Sequence, residues 1–332
     1  MKVTQKQIAE KVGVSINTVS LAMRGSSSLS KETTAEILKV ANQLGYVNSK
    51  SDANEKRKNL CLISTGNRLH DSYFYMSFYQ KILRHAHLRG YNIIFLDSSD
   101  ISGDLDKLNL YFSANSIAGV LILGHIDIEA AKLIKRTNLP IVAIGVRYDN
   151  TEICTVIEDN GLCVYQAIGY LYNRGYQDIG YLGNPGHSES FNERYYNYLR
   201  ELHRHGLPIQ NDCIIMDMDL DDMYNYDFIK DKLRAMPKLP QAFLCANDNT
   251  AMIVSKALQE LGFNVPKDIA IVGIDNASVG KMTIPTLTSV DVRVDMQAQY
   301  SIDKLISFVE GAPYEAVRIL IPTQLEEGQS VK

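Results

Sequence analysis

Three helical patterns follow one another between Thr4 and Tyr46, joined by turns too tight for anything but a compact bundle. Thr4 can cap the first helix, with Gln7 in the capping-box position three residues on. Ile8, Ala9 and Val12 then share one face. Gly13-Val14 turns the chain, and Ser15 can cap a second helix that points Val19 and Ala22 inward. Ser30 opens a third helix, packed through Ile37, Leu38, Ala41 and Leu44 and stopped at Gly45. Two helices joined across a Gly-containing turn form the helix-turn-helix unit, whose second helix lies in the major groove of DNA. A purely structural hairpin would explain the inward residues equally well. It would not explain the outward face of Ser15, Asn17, Thr18, Ser20 and Arg24, short donors suited to phosphates and base edges.

Charge is divided unevenly along the chain. Residues 1–58 hold ten Lys/Arg against five Asp/Glu, a net of +5, and the rest carries −9 within an overall −4. A basic head on an acidic body is expected where a DNA-binding module is attached to a domain with another task. At 332 residues the chain exceeds a single core and suggests two or three domains. Cys61, Cys154, Cys163, Cys213 and Cys245 are scattered, without a C-x-x-C pair, and read as reduced core thiols. No apolar leader opens the chain, and no run approaches the ~18 apolar residues of a membrane helix. A cytoplasmic protein without membrane contact is expected. Residues 47–58 are polar, lack apolar periodicity and read as a linker.

From Asn59 onward, short apolar runs alternate with helix-sized stretches. Candidate strands are 60–64, 92–96, 119–123, 141–144, 179–182, 213–216, 242–245, 269–272, 289–292 and 318–321. Nearly unbroken apolar strands in βα alternation imply parallel sheets covered on both faces. Ten strands are more naturally two sheets than one. Ile82 leading to Gly90-Tyr91 and Ile168 leading to Gly175-Tyr176 support two similar lobes.

In such sheets ligands bind outside the carboxyl ends of the strands. Asn247 and Asp248 end one strand, Asp275 and Asn276 end another, and Arg194 lies in the helix after a third. Amide, carboxylate and guanidinium groups together suit a hydroxyl-rich ligand, since each makes paired hydrogen bonds. Asp248 and Asn276 read more naturally as helix caps than as contacts. His85/His87 and His203/His205 fall on different helix faces and make no metal clamp. The dinucleotide, P-loop and nucleophile-elbow motifs are all missing, so no cofactor and no enzymatic activity are expected.

Ile8-Ala-Glu-Lys-Val-Gly-Val-Ser-x-x-Thr-Val-Ser20, with Leu29-Ser-x-x-Thr33 and Leu44-Gly-Tyr46, resembles the LacI/GalR family of bacterial transcription regulators. The body is similar as well, above all in Val265-Pro-Lys-Asp-Ile-Ala-Ile-Val-Gly-Ile-Asp275, Cys245-Ala-Asn-Asp248 and Phe191-x-x-Arg194. The resemblance implies an N-terminal all-α helix-turn-helix domain and an α/β periplasmic-binding-protein-like core of two Rossmann-like lobes. It implies a helix-turn-helix domain at 1–46, a linker or hinge at 47–58, and an effector-binding and dimerisation core at 59–332. Lobe one is expected at about 59–157 and 292–318, lobe two at about 158–289 and 319–332. Crossovers would fall near 156–159, 289–292 and 318–321.

The same resemblance implies a repressor that reads a pseudo-palindromic double-stranded operator as a homodimer, controlled by a carbohydrate effector. A sugar-binding protein whose head has lost DNA activity is the alternative. DNA-facing candidates are Thr4, Ser15, Ile16, Asn17, Thr18, Ser20, Leu21, Arg24 and Tyr46. Effector candidates are Arg194, Asn247 and Asp275, with Phe191 beneath a sugar ring and Ser72 and Phe74 on the opposite lobe. The dimer interface is implied at Tyr75–Leu88 and Lys281–Ile284. One departure stands out: Ala53-Asn54-Glu55 occupies the place of the family's hinge helix, and the linker holds no large apolar residue to wedge open a minor groove.

Overall fold

The computed structural model describes residues 4–23, 29–30, 33–34, 36–37, 40–41, 59–66, 73–148, 151–217 and 224–332. Expectations for Arg24, Leu38, Leu44, Tyr46, the linker at 47–58 and Ser72 lie outside these residues. The chain divides into two compact units, Met1–Arg57 and Lys58–Lys332.

In the first unit, α1 (Gln5–Val12) and α2 (Ile16–Met23) are joined at Gly13, whose φ of +76° takes the left-handed conformation that ends a helix. The Gly13 and Val14 amides both return to the Ala9 carbonyl, which closes α1 and turns the chain. The Thr4 amide donates to Gln7 Oε1 at 2.8 Å. Ser15 Oγ accepts from the Thr18 amide, and Ser30 Oγ from the Thr33 amide. Thr33, Thr34, Glu36, Ile37, Val40 and Ala41 are helical. Ile8, Ala9, Val19, Ala22, Ile37 and Ala41 form the head's small core.

The second unit contains two six-stranded sheets. The chain runs β1 (Asn59–Ser64), α3 (Tyr73–Leu88), β2 (Asn92–Asp97), α4 (Leu105–Ala114), β3 (Ile117–Leu123), α5 (Ile128–Lys135), β4 (Ile141–Ile144) and β5 (Cys154–Glu158). It crosses into the second lobe through α6 (Asn160–Asn173), β6 (Ile179–Leu182), α7 (Glu189–Arg204), β7 (Ile214–Ile215) and α8 (Tyr226–Ala235). That lobe continues with β8 (Ala242–Cys245), α9 (Asp248–Glu260), β9 (Ala270–Ile274), α10 (Ser278–Met282) and β10 (Thr288–Asp291). A second crossover returns the chain through α11 (Val294–Val309) to β11 (Arg318–Ile321), and a third carries it to β12 (Gln324–Glu326).

The first sheet has the order β11-β5-β4-β3-β1-β2 and the second β12-β10-β9-β8-β6-β7. All pairings are parallel except β12 against β10. Helices cover both faces, which is why β3, β4, β8 and β9 are buried along their whole length. α11 shares a core with α3 through Ala298, Ile302 and Leu305 against Phe78, Ile82 and Ala86. A Cβ at Gly119 would meet the Leu305 side chain at 2.9 Å, so glycine lets α11 lie close on β3.

β5 was expected only as a crossover near 156–159, and β12 was not anticipated. The lobe boundary also moves. β11 pairs in parallel with β5, so residues 319–321 belong to lobe one and its sheet extends past 318 to Ile321. β10 stays in the second sheet to Asp291, beyond the expected 289. All five cysteines are buried free thiols. Among the described residues, no helix is long and apolar enough to cross a membrane.

Candidate functional site

The chain carries two candidate sites, one in each unit. In the head, Ser15 and Thr18 spend their hydroxyls on each other at the start of α2, 2.8 Å apart. Beyond that cap, Ile16 and Asn17 are exposed in the first turn, Ile16 at 49%, and Ser20 and Leu21 follow four residues on with partial exposure. These four line one outward stripe, opposite the buried Val19 and Ala22. Thr4 is exposed just ahead of α1.

In the second unit, a cavity of about 370 Å³ opens between the two sheets at the strand ends. Phe74, Phe191, Arg194, Asn247 and Asp275 all line it. Lobe one contributes Phe74, Tyr75 and Phe78 from α3, with His125 and Arg147 from strand-end loops. Arg147 pairs across the cleft with Glu189 at the start of α7, at 3.5 Å.

Arg194 is the centre of the floor and is 3% exposed. Its Nε donates to Asn160 Oδ1 at 2.8 Å, and Nη1 to the Ala246 carbonyl at 2.7 Å and Asp275 Oδ1 at 3.4 Å. Nη2 donates to Glu158 Oε1 at 3.0 Å. Burial disfavours the charged guanidinium, but Asp275 and Glu158 outweigh that and raise its pKa further. A buried charge with its donors this fully used is held in one orientation.

Asp275 sits at φ +117° and Asn276 at φ +49°, both in regions that L-residues rarely adopt. Such strain persists where surrounding contacts fix it, and it gathers at ligand sites. Burial raises the Asp275 pKa well above the usual carboxylate range, Arg194 pulls it back down, and Asp248 pushes it up again. Asn247 has two tasks: Oδ1 caps α9 by accepting from the Thr250 amide, and Nδ2 donates to the Tyr224 hydroxyl at 3.0 Å.

Asp248 stands behind the cavity rather than on it. It accepts from Ser289 Oγ and from the Ala277 amide, each at 2.7 Å, and burial pushes its pKa up to about 7. The expected roles of neighbours therefore change: Asn247 is the cap of α9, while Asp248 ties α9 to α10 and β10. Asn276 is not the cap of α10, a place taken by Ala277; its amide donates to Ser289 Oγ at 3.0 Å.

Glu158, Asn160, Tyr224 and Arg147 were missed as site residues. Glu158 ends β5, and a strand recognised at 154–158 would have marked it by the same strand-end rule that marked Asn247. Tyr224 follows the acidic stretch Asp217-Met-Asp-Leu-Asp-Asp222, and nothing in the sequence marked it for the site.

Residues 4–49 match the model described as bacterial regulatory proteins, lacI family, and residues 168–331 match the periplasmic binding protein-like domain. The probable HTH-type transcriptional repressor ExuR of Bacillus subtilis (strain 168) is 27% identical over 337 residues, covering 99% of this chain and 98% of its own. The chain joins a LacI-type helix-turn-helix domain to a periplasmic-binding-protein-like domain. Its fold matches the lac repressor dimer bound to operator and the anti-inducer ONPF, at TM-score 0.75 and 22% identity over 99% of both chains. It also matches the transcriptional regulator CelR in complex with cellobiose, at TM-score 0.72 and 24% identity, covering 99% of this chain and 100% of that one. The two candidate sites fall in the two matched segments: the exposed stripe of α2 in the first, and most of the cleft floor in the second.

Proposed function

We propose that this chain is an effector-controlled transcriptional repressor of the LacI/GalR type, acting in the cytoplasm and without enzymatic activity. Residues 1–46 read DNA, 47–58 link, and 59–332 bind effector and dimerise. The observation that carries this reading is that one chain joins an exposed Ile16–Asn17–Ser20–Leu21 stripe on α2 to a cleft floored by buried hydrogen-bonding groups.

Asn17 reads adenine by a bidentate contact, while Ile16 and Leu21 touch thymine methyls or exclude water. Ser15, Thr18, Ser20, Thr4, Arg24 and Tyr46 hold the head on the backbone. A single head covers only a few base pairs, so two copies read a pseudo-palindromic operator with half-sites about one helical turn apart. The exposed Leu88, Met282 and Ile284, at 67%, 67% and 87%, fit a dimer interface along α3 and 281–284.

In the cleft, Asp275, Asn247 and Arg194 present a fixed set of hydrogen-bond partners to ligand hydroxyls, and Phe191 and Phe74 offer ring faces from opposite lobes. This fits a carbohydrate, the class of ligand named for CelR.

The test combines two measurements on the full chain. In-vitro selection followed by anisotropy titration should yield a palindromic duplex whose affinity falls steeply with salt. Thermal shift against a sugar and nucleoside panel should then identify a ligand that changes this affinity by about 5- to 150-fold. A head that selects no sequence above non-specific binding would overturn the reading.

A further inference from the structure

Beyond the cleft floor, a chain of polar contacts runs outward from Arg194 that ligand binding does not itself require. Asn160, 1% exposed at the start of α6, accepts from Arg194 Nε through Oδ1 and donates through Nδ2 to Glu193 Oε2 at 3.0 Å. Glu193, next to Arg194 on α7, uses its other oxygen to accept from Arg318 Nη2 at 2.6 Å. Arg318 opens β11, the edge strand of lobe one. On its other side Arg194 holds Glu158, the last residue of β5. β11 and β5 are paired neighbours, with Ile321 opposite Glu158 and Arg318 opposite Thr155. The contacts therefore close a ring. Its middle members, Asn160, Glu193 and Arg194, belong to lobe two, and both ends rest on the two crossover strands of lobe one.

We propose that Asn160, Glu193 and Arg318 are positioning residues that set the direction of the Arg194 guanidinium and make it depend on the placement of the two lobes. This rests on the reading of the cleft as the effector site. The ring has a fixed polarity. A guanidinium only donates, so the Asn160 atom facing Arg194 must be the oxygen. The amide nitrogen then faces residue 193, which must accept. Glu193 can accept from Asn160 and Arg318 together because a carboxylate offers two oxygens. A rotation of lobe two over lobe one moves both anchors, Glu158 and Arg318, relative to Arg194. The guanidinium then reorients rather than merely losing a neighbour.

Polarity separates this relay from an ordinary surface ion pair. An ion pair survives exchange of its charges, whereas the relay fails, because an arginine at 193 would face the donating amide of Asn160. The readout is the Arg194 Nε–H resonance of the 15N-labelled full chain, assigned by its loss in Arg194→Lys. Hydrogen-bonded Nε–H groups exchange slowly with water.

Arg318→Ala should move this resonance and speed its exchange about tenfold, the weight of one charge-assisted hydrogen bond. Glu193→Gln, which keeps an acceptor for Asn160, should retain a slowly exchanging signal. The exchanged pair Glu193→Arg with Arg318→Glu should not restore it. A signal unchanged in Arg318→Ala, restored by the exchanged pair, or unprotected in the wild type would overturn the relay. Arg318→Ala trims a half-exposed side chain and leaves the fold intact, so its result stands even where the double variant does not fold. No ligand enters the measurement, so failure here leaves the reading of the cleft untouched.

Discussion

The outward stripe of α2 and the floor of the cleft solve opposite problems. On α2, Ile16 and Asn17 stand in solvent, and the fold of the head depends on Ile8, Val19 and Ile37 behind them. In the cleft, Arg194, Glu158 and Asp275 are buried and satisfy one another. The head can therefore change what it reads without changing how it folds, whereas the cleft holds its partners ready at the expense of that freedom. Recognition is separable from stability in one unit and fused with it in the other.

The sharpest way to break this contrast is Arg194→Ala. It leaves Glu158 and Asp275 buried without their cation, and about 3–5 kcal/mol of unfolding free energy should be lost in urea titration. A loss below about 1 kcal/mol would show that the floor is not fused to the fold. Asn17→Ala makes the opposite demand: about 1–3 kcal/mol lost in operator affinity, relaxed preference at one base pair, and stability within about 0.5 kcal/mol of wild type. If Asn17→Ala melts the head instead, the separation fails there.

Asn247→Ala lies between, because the residue both caps α9 and faces the cavity. About 1 kcal/mol should be lost to the missing cap, together with weaker binding of any ligand found by thermal shift. A full-strength ligand response in a destabilised variant would reduce Asn247 to a cap.

The last effect is a pH dependence. Asp248 has a folded-state pKa of about 7, against about 3.9 in an unfolded chain. Between those values the folded state binds a proton that the unfolded state does not. Its stabilising contribution is present at the acid end and lost as pH rises through 7. The melting midpoint should fall by a few degrees between pH 5 and pH 8, at about 2–4 °C per kcal/mol for a domain of this size. Asp248→Asn should flatten much of that fall, with Asp275 supplying the remainder. An identical slope in the variant would remove Asp248 from the account.

The sequence made the head legible because its signals are local. Ser15 stands immediately before α2, Ser30 Oγ accepts from the Thr33 amide, and Gly13 marks the turn. Strands such as Ile117–Leu123 were legible because burial on both faces leaves an unbroken apolar run. β5 was hidden, because Thr155 and Glu158 interrupt Cys154–Glu158, and Glu158 is tolerated inside only through a partner 36 residues away in sequence. β12 is three residues long and pairs antiparallel, so it carries neither length nor pattern. The cap of α9 was read onto Asp248 rather than Asn247 because a cap and the first helical residue differ by one position, and composition alone does not set that register. The ring through Asn160, Glu193 and Arg318 was invisible for the same reason as Glu158: its members meet only in three dimensions.

Three passages of chain between the sheets have a consequence for biosynthesis. Lobe one begins at Asn59, yet α11, which fills its core against α3, and β11, its last strand, come after the whole of lobe two. At translation rates of about 5–20 residues per second, β5 leaves the ribosome roughly ten to thirty seconds before its partner β11. Throughout that interval the faces of Phe78 and Ile82 and the outer edge of β5 stand uncovered. The nascent polypeptide thus displays part of lobe one's core before the residues that cover it have been made.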